Sequence, residues 1–196
     1  MHGFFAMLSR MKYIDRWGLM RCTRSETLSE HTLETAMLTH ALIAIANDRF
    51  GESLDAGRGV LYALYHDCAE IITGDLPTPV KYHDDAIRSA YRAIETQASA
   101  RLLSLLPEGM RDAFSPYFSA GDRYAPYIKA ADKLSAVIKC IEEEQAGNRE
   151  FIVAKKACLA HPALQLPAAR VFIEEYLPAY SLTLDEIERP AEEVPV

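Results

Sequence analysis

Apolar residues recur along this chain three and four positions apart, the period of a helix buried on one side. No set of alternating Val, Ile and Thr runs marks a sheet. The pattern predicts an all-α fold. One helix is expected over residues 30–48, where His31 lines up with Leu38, Leu42 and Ile45, with Ser29 as N-cap and Gly51 just beyond its end. Thr32 stands where a capping box would place Glu or Gln, so that start signal is incomplete. Another helix is expected over 56–72, stopping at Gly74. On its wheel Leu61, Leu64, Cys68, Ile71 and Ile72 form an apolar stripe, and His66, Asp67 and Glu70 gather opposite it with Gly59 and Ala63. The segment 73–81, Thr73-Gly74-Asp75-Leu76-Pro77-Thr78-Pro79-Val80-Lys81, carries two prolines and a glycine and reads as a loop.

A short element over 4–14 and further helices over 84–106, 108–118, 127–146, 151–160 and 168–177 complete the expectation. Beyond Pro178 the chain turns acidic, with Glu186, Glu188, Glu192 and Glu193 among prolines. Residues 1–180 therefore read as one domain and 181–196 as a loosely packed tail.

Composition narrows the function classes. A chain of 196 residues fits a single domain and buries about 70% of its surface on folding. With 49% hydrophobic and 25% charged residues it has no general case for disorder. The 21 Lys and Arg against 28 Asp and Glu give a net charge of −7, which repels nucleic-acid polymers and anionic membranes. The longest unbroken apolar run, Ala41 to Ala46, is far short of the ~20 residues that span a bilayer, and no basic-then-apolar start is present. A cytoplasmic protein is the expectation. Cys22, Cys68, Cys140 and Cys158 are far apart and form no CxxC pair, so they read as reduced, partly buried side chains.

Candidate chemistry sits on the polar side of the 56–72 helix. His66 and Glu70 are four residues apart and Asp67 and Glu70 three, so all three can converge above the helix. His31, at the N-terminal end of a buried-looking line, and Asp132, near the start of the 127–146 helix, read alone as a core histidine and a helix-dipole carboxylate. Together, His31, His66-Asp67 and Asp132 are two imidazoles and two carboxylates on three helices, the ligand type of a first-row divalent metal.

The arrangement resembles the HD superfamily of metal-dependent phosphohydrolases, helical proteins in which a His, an adjacent His-Asp pair and a distant Asp hold the metal. The surrounding words are Arg16-Trp17, Ser29-Glu30-His31-Thr32, Tyr65-His66-Asp67-Cys68-Ala69-Glu70, Gly74-Asp75-Leu76-Pro77-Thr78-Pro79-Val80-Lys81 and Ala131-Asp132. They follow the order and approximate spacing of the bacterial YfbR-type 5′-deoxynucleotidases, up to Leu184-Asp185-Glu186-Ile187. That resemblance implies an HD-domain helical bundle hydrolysing deoxyribonucleoside 5′-monophosphates to deoxynucleoside and phosphate, as a cytoplasmic homodimer.

Four protein ligands leave about two positions of an octahedral ion for a phosphate oxygen and a water whose pKa the ion lowers. Mixed nitrogen and oxygen ligation favours one Co²⁺, Mn²⁺, Ni²⁺ or Zn²⁺ over Mg²⁺. Glu70 is expected to manage a proton, Arg16 to meet the phosphate, and Trp17 to wall the sugar. Asp75 and Thr78 are expected to bond substrate hydroxyl and phosphate groups, with Leu76 and Pro77 beside them, and His31, Asp67 and Asp132 to face the substrate through the metal. His2, His40, His83 and His161 join no cluster. The rivals are an HD phosphohydrolase for nucleoside triphosphates or alarmones, whose substrates call for a more basic pocket, and a nucleotide-binding regulator without turnover.

Overall fold

A computed structural model describes residues 1–81, 83–121 and 123–188, apart from the Thr78 side chain. Its elements are α1 (Phe4–Leu8), α2 (Leu28–Phe50), α3 (Ala56–Tyr65), α4 (Glu70–Thr73), α5 (Thr78–Lys81), α6 (Asp85–Ser104), α7 (Glu108–Phe114), α8 (Ala125–Gln145), α9 (Ile152–Leu159), α10 (Pro167–Glu175) and α11 (Leu184–Ile187). Short 3₁₀ turns extend several of them. Among the described residues there is no strand, only an isolated antiparallel bridge between Asp15 and Thr27. The fold is all-α, as the periodicity requires.

Helix α2 is the central rod. It starts two residues earlier than the Ser29 signal suggests, because Thr27 is the cap and Glu30 completes a capping box with it. Gly51, in the left-handed region at φ 68°, ends the helix. The expected line holds: Leu38, Leu42 and Ile45 are buried against Leu134, Val137, Ile138 and Ile141 of α8 and Phe172 of α10. His31 continues that line with no solvent exposure. A second apolar cluster joins Phe4, Met11 and Leu28 to Cys68, Leu102 and Leu106.

The expected helix over 56–72 is two helices with a tightened turn between them. Backbone bonds through it run three residues back, from Cys68 N to Tyr65 O and from Glu70 N to Asp67 O. The face assignment also differs from the wheel. Gly59 and Ala63, grouped there with the polar residues, are buried, whereas Ile72 is exposed. Gly59 allows the close approach: a Cβ there would lie 2.2 Å from Ile43 Cδ1. Small residues on that face let α3 lie against α2 and swing the turn carrying His66 and Asp67 toward His31.

The proline-rich segment is not all loop. Thr78–Lys81 forms one helical turn in which Pro79 takes an early position, where its missing N–H costs no intrahelical bond. The expected 108–118 helix breaks at Ser115, whose next residue is Pro116, and continues as a 3₁₀ turn. In the acidic tail, Thr183 and Glu186 form a capping box for α11, with Leu184 and Ile187 exposed. Residues 189–196 of that tail lie outside the described residues.

Candidate metal centre

Three elements converge here, with His31, His66 and Asp67 grouped and Asp132 set against His31. Helix α2 brings His31, the turn between α3 and α4 brings His66 and Asp67, and α8 brings Asp132. One ligand atom each from His31, His66 and Asp67 lie within 4.8 Å of one another. His66 Nε2 is 3.0 Å from Asp67 Oδ2, and His31 Nε2 is 3.6 Å from both Asp67 Oδ2 and Asp132 Oδ1. The cluster meets solvent through its carboxylates, whose side chains are 21% exposed for Asp67 and 14% for Asp132. Asp132 is not at the start of its helix but in the third turn of α8. Its role as a helix-dipole carboxylate falls away with that placement.

The residues fit a divalent cation. His66 Nδ1 lies 2.6 Å from the Ala63 carbonyl, which can only accept, so this nitrogen carries the proton. His66 Nε2 is buried without a hydrogen-bond partner and faces carboxylate oxygens, the place of a cation. Such a cluster demands positive charge. Burial opposes protonation of His66, but the Asp67 charge wins and lifts it to about 9. Asp67 is held well below the usual carboxylate range, against its own burial, by His66 and then His31. Asp132 is likewise held low, against burial, by Lys129, Lys133 and then His31. Burial and the nearby Arg16 keep His31 neutral by pushing it down.

Arg16 reaches the cluster, with Trp17 next to it in the chain, on the segment before α2, which is pinned by Arg16 N to Glu26 O at 2.9 Å and Leu28 N to Ile14 O at 2.8 Å. Arg16 Nη1 lies 4.0 Å from Asp67 Oδ2. Glu26, a residue that sequence spacing gave no reason to single out, is buried and accepts from Arg16 Nε at 3.2 Å and Trp17 Nε1 at 2.6 Å. One carboxylate oxygen thus orients both side chains. Trp17 sits in the left-handed region at φ 62°, a costly conformation for a bulky residue, and its ring is 5.3 Å from that of buried Phe151.

Glu70 begins α4 and is 4% exposed. Its Oε2 has no hydrogen-bond partner, and its Oε1 is 3.7 Å from Lys81 Nζ. Burial first, then the charges of Asp67 and Asp75, push it up to about 8 against Lys81 and Arg16. Neither imidazole uses Glu70 as its supporting acceptor, since His66 Nδ1 meets Ala63 O and His31 Nδ1 meets Ser135 Oγ. Its proton is therefore free for other work. Lys81 is itself fixed by Glu95 at 2.8 Å and by the Tyr91 ring at 4.7 Å. Asp75, Leu76 and Pro77 are half-buried beside this group, while the Thr78 side chain lies outside the described residues.

These shifts set a pH dependence for protein treated with EDTA. His66 at about 9 and Glu70 at about 8 both lie above their unfolded values, so these two groups bind more protons in the folded state than in the unfolded one between pH 7 and 9, offset in part by the Cys158 thiol, which its hydrogen bond with Cys140 pulls down to about 7. Stability should fall as pH rises through that window. Urea titrations at pH 7, 8 and 9 check it, and a rise in stability over that range would contradict the assignments.

An all-α bundle with a His and His-Asp cluster at the junction of three helices has the architecture of HD-domain phosphohydrolases. The fold is similar to an HD-domain phosphohydrolase of Listeria innocua, with TM-score 0.79, 21% identity, and coverage of 94% of this chain and 90% of that one. It is also similar to the cyanophage S-2L HD phosphohydrolase DatZ, solved with dA and one catalytic Zn²⁺, with TM-score 0.63, 21% identity, and coverage of 91% and 96%.

The family is more specific still. Residues 3–180 match the family described as 5′-deoxynucleotidase YfbR-like, and the chain belongs to it. The 5′-deoxynucleotidases YfbR of Shigella dysenteriae serotype 1 and of Escherichia coli strain ATCC 8739 are each 46% identical, over 190 and 188 residues, covering 94% of both chains in each case.

Proposed function

We propose that this protein is a 5′-deoxynucleotidase that releases phosphate from deoxyribonucleoside 5′-monophosphates, using one divalent cation held by His31, His66, Asp67 and Asp132. The observation that carries this reading is the meeting of those donors with Arg16 at 4.0 Å from Asp67, in a chain 46% identical to proteins of that name. A relative of the same fold holds dA and one Zn²⁺, which supports a nucleotide ligand and a single ion. The ion supplies Lewis acidity toward the phosphoryl group and acidifies water near it. Two imidazoles in the donor set favour Co²⁺, Mn²⁺, Ni²⁺ or Zn²⁺ over Mg²⁺.

The chain's own groups divide the remaining work. Arg16, held rigid by Glu26, binds the phosphate and offsets its charge. Glu70, whose Oε2 has no partner in a dry setting, is suited to exchange a proton with the attacking water or the leaving 5′ oxygen. Trp17 gives its indole N–H to Glu26 and so offers the sugar an apolar face with no donor. A 2′ hydroxyl buried there without a partner costs about 1–3 kcal/mol, which selects deoxyribose. We assign Asp75, Leu76, Pro77 and Thr78, on the segment that follows Glu70, to the substrate's hydroxyl and phosphate groups.

Phosphate release from paired deoxyribo- and ribonucleotides tests the reading. With Co²⁺ or Mn²⁺, deoxyribonucleoside monophosphates should be favoured over ribonucleotides by about tenfold or more in kcat/KM. Preference for triphosphates, or no hydrolysis with bound substrate, would overturn it.

We further propose that residues 1–180 carry the activity, that the protein is a homodimer, and that it works in the cytoplasm. Among the described residues no helix is long and apolar enough to cross a membrane. Turnover by a 1–180 fragment, a solution mass of twice 21.9 kDa, and a cytosolic fusion signal are the respective checks.

A further inference from the structure

On the far side of the His31 ring two contacts run in line. His31 Nδ1 lies 2.9 Å from Ser135 Oγ, and Ser135 Oγ donates to Glu34 Oε2 at 2.6 Å. Both His31 and Ser135 are without solvent exposure. A hydroxyl has one proton, and an ionised carboxylate only accepts; burial pushes Glu34 up to about 7, so the chain of donors is fixed above that pH. Ser135 therefore donates to Glu34, its oxygen accepts from His31, and His31 Nδ1 carries the ring proton. The Nε2 lone pair then points toward Asp67 and Asp132, each 3.6 Å away. With the other tautomer an N–H would occupy the place of a cation.

The spacing makes this a property of one helix pair. Glu34 follows His31 by three residues on α2, and Ser135 follows Asp132 by three on α8, so the contact that brings two ligands together brings their supports together one turn further on. Behind them lies a cavity of about 80 Å³ lined by Arg24, Glu26, Glu30, Glu34, Lys139 and Glu142. Two of its carboxylates connect to the site, Glu34 through Ser135 and Glu26 through Arg16 and Trp17.

We infer that Glu34 and Ser135 are positioning residues of the metal centre, holding His31 with Nδ1 protonated and Nε2 free for a divalent cation. The inference rests on the metal reading above, and its test separates the two. Co²⁺ affinity is measured by calorimetry for the wild type, Ser135→Ala, Glu34→Ala, His31→Ala and Glu142→Gln. Loss of either support should weaken binding by about 10- to 100-fold, as for other partners of metal-bound histidines, while Glu142→Gln binds as the wild type does.

Unchanged affinity in Ser135→Ala and Glu34→Ala overturns the positioning role and leaves the metal centre standing. Absent binding in the wild type, or binding that survives His31→Ala, overturns the metal centre itself. A second readout does not depend on the variants folding. In ¹⁵N spectra of the EDTA-treated wild type at pH 8, where Glu34 is ionised, His31 should show a protonated Nδ1 and a bare Nε2. An Nε2-protonated ring, or exchange between the two forms, would refute the inference, as would a weakened Ser135→Ala variant still showing only the Nδ1-protonated ring.

Discussion

Replacing Glu70 with Gln should cut phosphate release by about 10²- to 10⁴-fold, the range for loss of a positioned proton-transfer group. Metal and monophosphate should still bind, because Glu70 supports neither imidazole and its ion pair is with Lys81 at 3.7 Å. The volume is preserved and the carboxyl is already pushed up to about 8, so a neutral amide at this buried position is tolerated by the fold. The wild-type pH profile should carry a limb at or below about pH 8, since a cation beside Asp67 pulls the Glu70 value down from there. A descending limb identifies Glu70 as an acid and an ascending limb as a base. Both should vanish in the variant. Unchanged turnover would remove Glu70 from the chemistry.

Asp67→Ala should abolish hydrolysis by removing metal binding. In the wild type, a cation at 100 times its Kd adds about 2.7 kcal/mol of stability. For a chain of this size each kcal/mol moves Tm by roughly 2–4 °C. Added Co²⁺ should therefore raise the wild-type Tm by about 5–10 °C and leave the variant within about a degree of its metal-free value. The same substitution removes the charge that lifts His66, so its titration near 9 should move down in ¹H NMR. A variant that keeps the full Tm shift would show that Asp67 does not bind the ion.

The helices and the ligand cluster were legible in the sequence for different reasons. Helical period placed α2, α6 and α8 to within a few residues, because long amphipathic segments announce themselves. The cluster was legible through the resemblance that its surrounding words carry; taken singly, its members read as a polar helix face, a core histidine and a helix-dipole carboxylate. What the wheel hid was the turn at residues 66–69, since a tightened helix keeps the same letters and changes only the direction of the chain. It also misjudged Gly59 and Ala63, which are small because α2 lies against them and not because a site opens there. Cap chemistry was misplaced by two residues at Thr27, where the box with Glu30 was available.

The supports of the site left no local signal. Glu26 lies ten residues from Arg16 across an irregular segment, and Ser135 lies 104 residues from His31. Only the packing of α2 on α8 brings the second pair together. Lys81 stands at the end of the proline-rich segment, and its fixing by Glu95 and Tyr91 depends on how α5 folds back on α6.

A crystal soaked in Zn²⁺ and measured at the zinc absorption edge tests the central claim most directly. The account predicts one anomalous peak, about 2.0–2.2 Å from the Nε2 atoms of His31 and His66 and from carboxylate oxygens of Asp67 and Asp132. A peak held by other side chains, or none between α2, α8 and the 66–69 turn, would contradict it.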